Sequence, residues 1–228
     1  MFKDAVAGLD RILETDIAKG SIIIITGAEG TLKSSLAFSL INRHLYLCKD
    51  HGLYSTLEQT KESHLQNMES IGIKRSDRLH IFDYCDMRRE WESNEPDMIK
   101  FTEDVIHSYL EKHSELSVFA LDSVNALYTL SSPANLRRAM YHFFATLRER
   151  NLTSLLIVEQ SGDSQDCVTN SGPEHFLADG VIELGLVQGA EGVKRYIRIR
   201  KMRGCRHRME RHQIIVADGE LSILGPIY

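Results

Sequence analysis

"ITGAEGTLKSS", Ile25 to Ser35, decides how the whole chain is read. Gly27, Lys33 and Ser34 have the spacing of the phosphate-binding pattern G-x-x-x-x-G-K-S/T, but Leu32 stands where its second glycine belongs. In front lies "SIIIIT" (21–26), a β-branched apolar run that predicts a buried strand of a parallel sheet. Behind lies "KSSLAFSLINRHLYLC" (33–48), with Leu36, Leu40 and Leu47 at roughly helical spacing and Gly52 expected to stop the helix soon after. In a strand-loop-helix setting, successive backbone N–H groups and the helix N-terminus converge on a phosphate. Gly27 and Gly30 supply the tight backbone, and Ala28, Glu29, Thr31 and Ser35 complete the loop. Lys33 is placed to reach the β- and γ-phosphates of ATP, and the Ser34 hydroxyl to bind Mg²⁺. Leu32 keeps its N–H. Its Cβ costs about 1–2 kcal/mol if the position needs left-handed backbone, and little if right-handed angles suffice.

Outward from the loop, strands and helices alternate. "GLYSTLE", "LHIFDY", "LSVFALDS" and "TSLLIVEQ" read as strands. "KESHLQNMESIG", "EPDMIKFTEDVIHSYLEKH" and "SPANLRRAMYHFFATLRERN" read as helices, the last with Ser132 as cap and Pro133 at its first position. From about Val181 the pattern changes to "GVIELGLV", "KRYIRIRKM", "HQIIVA" and "LSIL", antiparallel strands around "QGAEG" and Asp218-Gly219. The expected fold is α/β, a mainly parallel sheet flanked by helices with C-terminal antiparallel hairpins. With 228 residues, 43% of them hydrophobic, the chain is expected to form one domain over 1–228. "SGDSQDCVTNSGPE" (161–174) reads as a long loop at a strand's C-terminal end, where such folds place function.

Two carboxylates fit the same chemistry. "SVFALD" ends in Asp122, an apolar strand finishing in an acid, suited to orient Mg²⁺ beside Ser34. "GLYSTLE" ends in Glu58, which can polarise the water that attacks the γ-phosphate.

Composition removes other classes. The longest apolar runs are too short to span a membrane, and "MFKDAVAGLD" lacks the apolar core of a signal peptide. Cys48, Cys85, Cys167 and Cys205 form no C-x-x-C pair, so reduced thiols in a cytoplasmic protein are expected. The ten histidines show no H-x-x-x-H or H-E-x-x-H spacing, which disfavours a metal hydrolase. A net charge of -5 gives no global basic character for nucleic acid.

"AGLDRIL", "GAEGTLKSS", "YSTLEQ", "FALDSVNAL", "IVEQ", "EHFLADGVIEL" and "RKMRGCRHRMERHQIIVADGE" occur in the order seen in the KaiC-like ATPases of the RecA superfamily, which this chain resembles over almost its entire length. "KMRG" followed by His207 is the most specific piece. The resemblance implies that Gly27 to Ser34 form the P-loop, that Asp122 is the Walker B acid, and that Glu58 and Gln59 match a pair of water-activating glutamates. It further implies that Lys201, Arg203 and His207 reach the ATP of the neighbouring subunit of a hexameric ring. Gln59 in place of the second glutamate implies slow turnover. His175 and Phe176 stand where the clock kinase domain has phosphate-accepting Ser and Thr, so autophosphorylation there is not expected.

Lys201 and Arg203 flank Met202 on a strand and so project to one face, where cations near a γ-phosphate act as arginine fingers do. Arg195, Arg198, Arg200, Arg206 and Arg208 exceed what phosphate contacts need. A basic strip of this kind suits a RecA-paralogue-like DNA contact, although the 161–174 loop is acidic and lacks aromatic residues for stacking. A third reading is an ATP-sensing scaffold with a protein signalling partner and little hydrolysis.

Overall fold

The computed structural model describes residues 2–84, 97–131, 136–160, 173–189 and 192–227. Within them, β1 (Ile22–Gly27), α1 (Lys33–Cys48), β2 (His51–Thr56), α2 (Lys61–Ser70), β3 (Leu79–Asp83), α3 (Met98–Lys112) and β4 (Leu116–Asp122) follow in order. Next come α4 (Val124–Thr129), α5 (Leu136–Glu149), β5 (Thr153–Glu159), α6 (Pro173–Leu177), β6 (Gly180–Gly189), β7 (Gly192–Met202), β8 (His212–Ala217) and β9 (Glu220–Pro226). One nine-stranded sheet runs β3-β2-β4-β5-β1-β6-β7-β8-β9. Its pairs from β3 to β6 are parallel, and β7, β8 and β9 add antiparallel. This is the expected fold class. Among the described helices, none is long and apolar enough to cross a membrane.

The strand period of two explains the layers. Ile23 and Ile25 of β1 face one cluster with Leu36, Phe38, Leu40, Ile41 and Leu45 of α1. Ile22 and Ile24 face the other, with Met140, Phe143, Phe144 and Leu147 of α5. β1 is buried at all six residues because both its faces are covered. Each such side chain contributes roughly 1.5–3 kcal/mol by leaving water.

Gly52 is corrected. It does not stop α1: the helix ends at Cys48, capped by Lys49 in left-handed backbone (φ 63°), and Gly52 lies inside β2. A Cβ at Gly52 would stand 2.9 Å from Leu45 Cδ1 and 3.1 Å from Ile41 Cγ2, so the missing side chain lets α1 pack close to the strand. The short helices α4 and α6 carry too few turns to show in the apolar pattern. The expected cap at Ser132 and Pro133, Ala190 and Glu191 of the "QGAEG" turn and nearly all of the 161–174 loop lie outside the described residues, while Gly189 and Gly192 pair across that turn as the antiparallel hairpin requires. At the β8–β9 hairpin, Asp218 and Gly219 both take positive φ (53° and 77°), as a tight turn between twisted strands requires.

His64 of α2 is 1% exposed, packed against Phe38 and Tyr54, and its Nε2 has no hydrogen-bond partner. Burial lowers its pKa from 6.5 to about 4, so the fold holds the imidazole neutral. Because the folded pKa is depressed, this contribution is whole above pH 6.5 and declines as pH falls toward 4. Between pH 7 and pH 5 it should account for about 2 kcal/mol of lost stability. Urea unfolding of His64→Leu at both pH values should show that much less acid sensitivity than the wild type; an unchanged difference would contradict the assignment.

Candidate nucleotide site

β1 delivers the chain to the carboxyl end of the sheet, and α1 carries it back. Gly27 sits at φ 156°, and a Cβ there would collide with the Leu184 carbonyl of β6. Gly30 takes φ 73° with nothing within 4 Å of where its Cβ would stand. Leu32 takes φ 75° and ψ 27° as the N-cap of α1. The position is left-handed, so the cost of about 1–2 kcal/mol for a residue with a Cβ is incurred here. The Leu32 side chain is partly buried against the α1 core, which offsets some of it.

Inside the loop, the Thr31 hydroxyl donates to the Ala28 carbonyl at 2.7 Å and Lys33 Nζ donates to the same carbonyl at 2.9 Å. Lys33 is only 6% exposed, and its second anchor is Glu159 at the end of β5, 3.6 Å away. An ammonium folded back onto its own loop is a charge held ready for an anion that outcompetes a neutral carbonyl.

Asp122 ends β4 and is 9% exposed. Tyr54 of β2 donates to its Oδ2 at 2.8 Å, and the Ser34 hydroxyl bonds it from the start of α1. Burial raises the Asp122 pKa; the hydrogen bonds from Ser34 and Tyr54 and the charge of Lys33 pull it down, and burial prevails. A divalent cation there would relieve that penalty. Ser34 and Asp122 offer the hard oxygen donors that Mg²⁺ prefers, so these residues fit the ion. Glu58, just beyond β2, is exposed and accepts from Ser123 Oγ at 2.6 Å. Ser123 also accepts the Ala126 N–H at the start of α4, which fixes the group that orients Glu58. Gln59 turns its Oε1 to Asn67 of α2 at 3.1 Å.

These groups share one cleft of about 440 Å³, lined by Glu29 to Ser35, Thr56, Glu58, Gln59, His64, Asn67, Met68, Asp122 and Glu159. Thus the structure brings Gly30, Lys33, Ser34, Glu58 and Asp122 together from three separate stretches of sequence. Gly27 and Ala28 form the loop's entrance.

Lys201, Arg203 and His207 lie elsewhere. Lys201 Nζ donates to the backbone carbonyls of His175 and Ala178. Arg203 pairs with Asp179 at 3.3 Å, and the other Asp179 oxygen accepts the N–H of Ile22, the first residue of β1. Gly27 is the last residue of that strand, so about 16 Å separates Arg203's anchor from the phosphate loop. His207 is bridged to Leu13 in the N-terminal segment, and its Nδ1 lies 3.0 Å from the Cys205 carbonyl. The strand β7 ends at Met202, one residue short of Arg203, yet Lys201 and Arg203 both contact the 175–179 segment.

Sequence reasoning missed Glu159, Tyr54, Ser123 and Arg195 in this site. Arg195 was grouped with a basic excess, but antiparallel pairing to β6 puts its end of β7 beside the loop, where its Nε donates to the Gly30 carbonyl at 3.0 Å. Three further arginines of this region have side chains engaged within the chain. Arg198 bonds the Met209 carbonyl, Arg200 pairs with Glu183 at 3.5 Å, and Arg211 lies over the Tyr196 ring. Glu159 ends the apolar run "TSLLIVE", and a strand-terminal acid is the signal that could have found it.

A sequence model of the family described as "ATPase: KaiC" matches residues 2–227. The chain belongs to the KaiC ATPase family. It is 27% identical to a UPF0273 protein of Thermotoga maritima, over 97% of this chain and 94% of that one. It is 24% identical to the circadian clock oscillator protein KaiC of Parathermosynechococcus lividus, over 96% of this chain but 41% of the relative. The chain therefore spans about two-fifths of the length of that clock protein. Among solved structures, a KaiC-like protein of the archaeon Pyrococcus horikoshii superposes with a TM-score of 0.80, at 22% identity and 98% coverage of both chains, which shows the shared fold. Family membership and the loop's geometry make this a nucleotide-binding P-loop protein.

The two loop glycines make different demands. Gly27→Ala should destabilise the fold by more than about 3 kcal/mol, through collision with Leu184 and a strained φ. Gly30→Ala should cost only the left-handed penalty of about 1–2 kcal/mol. Equal losses in urea unfolding would contradict the loop geometry.

Proposed function

We propose that the chain, acting as one ATPase unit over 1–228, binds Mg-ATP in this cleft and hydrolyses it slowly. The observation that carries the reading is the convergence of Lys33, Ser34, Asp122 and Glu58 in one cleft at the carboxyl ends of β1, β2 and β4. The loop N–H groups and Lys33 bind the phosphates, and Ser34 and Asp122 hold Mg²⁺, which when bound neutralises charge on the transferring phosphoryl group. Glu58, oriented by Ser123, positions the attacking water and accepts its proton. Slowness follows from Gln59, whose amide cannot accept a proton and whose side chain is turned to Asn67. Autokinase activity is not part of the proposal, because His175 and Phe176 carry no phosphate-accepting hydroxyl.

Lys201 and Arg203 act across a subunit boundary. Their place at the amino end of β1 and β6, remote from their own loop, supports a head-to-tail contact that closes into a ring, in keeping with the hexamer the family resemblance implies. DNA binding is not favoured, since Arg195, Arg198 and Arg200 of β7 and Arg203 just beyond it already serve contacts within the chain.

Lys33→Ala should lose nucleotide affinity. Glu58→Gln should bind ATP normally and turn it over about 10²–10⁴-fold more slowly. Phosphate release and nucleotide titration read both, and a Glu58→Gln variant with full turnover would reject the base. Mixing Arg203→Ala with Lys33→Ala subunits should recover some activity at interfaces that pair an intact loop with an intact finger. No recovery after demonstrated subunit exchange would reject the trans role.

A further inference from the structure

His51, His80 and His113 come from distant parts of the sequence, and no spacing rule links them. The fold gathers them at the end of the sheet opposite the nucleotide cleft. His51 opens β2, His80 lies on the edge strand β3, and His113 follows α3. One ring nitrogen from each lies within 4.8 Å of the other two, and His51 Nδ1 stands 3.0 Å from His80 Nε2. All three are partly exposed, so solvent and ions reach them.

We propose that these three imidazoles form a binding site for a first-row divalent metal ion of the zinc class, separate from the ATP site. Imidazole is the ligand type that suits zinc, nickel, copper and cobalt, whereas Mg²⁺ prefers oxygen donors. Zinc bonded to nitrogen at about 2.0–2.1 Å in tetrahedral geometry sets its ligand nitrogens about 3.3 Å apart. The His51–His80 separation of 3.0 Å, now a hydrogen bond between the rings, is close to that value, and the third nitrogen lies within 4.8 Å of both. Three protein ligands leave a fourth position for water.

The backbones that carry the rings are fixed. His51 N–H donates to the Glu115 carbonyl at 3.1 Å, His113 N–H to Tyr109 at 2.9 Å, and Leu116 N–H to His113 at 3.0 Å. His80 is paired with Leu53 in the β2–β3 ladder. The rings stand nearly face to face, with interplanar angles of 11°, 20° and 25° and centroids 4.1–5.3 Å apart. Binding therefore requires the nitrogens to tip toward a common point by rotation about χ2, a broad torsion in histidine. The neighbouring cation Arg75 directs its Nη1 to the Leu79 carbonyl at 3.1 Å. A bound ion would clip the edge strand β3 to β2 and to the turn that leads into β4.

Apo protein cleared with a chelator is titrated with Co²⁺, followed by displacement with Zn²⁺. The expected result is one equivalent of Co²⁺ showing the visible absorption bands of a four-coordinate ion, bleached by one equivalent of Zn²⁺. His80→Ala should weaken Zn²⁺ binding at least tenfold while nucleotide binding persists, which shows that the variant is folded. His113→Asn is the second variant if His80→Ala does not fold. Cys48→Ser tests another pair of metal-ligand side chains among the described residues, His44 and Cys48, 3.9 Å apart on α1, and should change nothing. Absence of a stoichiometric Co²⁺ spectrum in the wild type, its persistence in both histidine variants, or its loss in Cys48→Ser would each overturn the site.

Discussion

Between Gly27 and Lys33 the chain must leave a central strand, turn through a few residues and enter the helix that covers one face of the sheet. Gly27, Gly30 and Leu32 all take positive φ in doing so. Gly27 tolerates its angle because it has no side chain to meet the Leu184 carbonyl. Leu32 accepts strain that a glycine would avoid, and its side chain reaches the core. The loop's shape is thus imposed by its neighbours: β6 behind it, α1 ahead of it, and Arg195 holding the Gly30 carbonyl from β7. A cradle built this way faces the cleft whether or not its residues match the phosphate-loop pattern letter for letter.

The charges around the cradle are arranged as an unsettled account. Asp122 is buried at a cost, and hydroxyls from Ser34 and Tyr54 meet only part of its demand. Lys33 rests on a neutral carbonyl and on Glu159. A polyanion together with a divalent cation satisfies both groups at once, and burial strengthens each interaction that forms. The same sheet places Lys201 and Arg203 at its other end, where they are held by Asp179 and by the backbone before β6. At that end of the strands neither side chain reaches the phosphate loop of its own chain.

Much of this was legible in the sequence, for particular reasons. Continuous apolar runs ending in Gly27 and Asp122 announced buried parallel strands, and the start of α1 was legible because its loop and its apolar period agree. Leu32 posed a question that only a backbone angle could answer. Gly52 misled because glycine marks helix ends and close approaches alike, and the sequence does not say which. Arg195 and Arg203 lie on the same short segment, yet the antiparallel turn of β7 sends them to opposite ends of the sheet. Register of that kind follows from pairing with β6, which no local pattern encodes. The histidine trio was invisible for a related reason: spacing rules find ligands within one element, whereas these three meet only through tertiary structure.

If the cleft is built for the phosphates of Mg-ATP, a bound nucleotide should occupy it in one defined way. A crystal structure with Mg²⁺ and a non-hydrolysable ATP analogue tests it most directly. The expected complex has the phosphates on the backbone N–H groups of residues 28–34, Lys33 Nζ released from the Ala28 carbonyl onto a phosphate oxygen, and the metal beside Ser34 and Asp122. A nucleotide bound elsewhere, or one bound here with Lys33 still on Ala28, would contradict it.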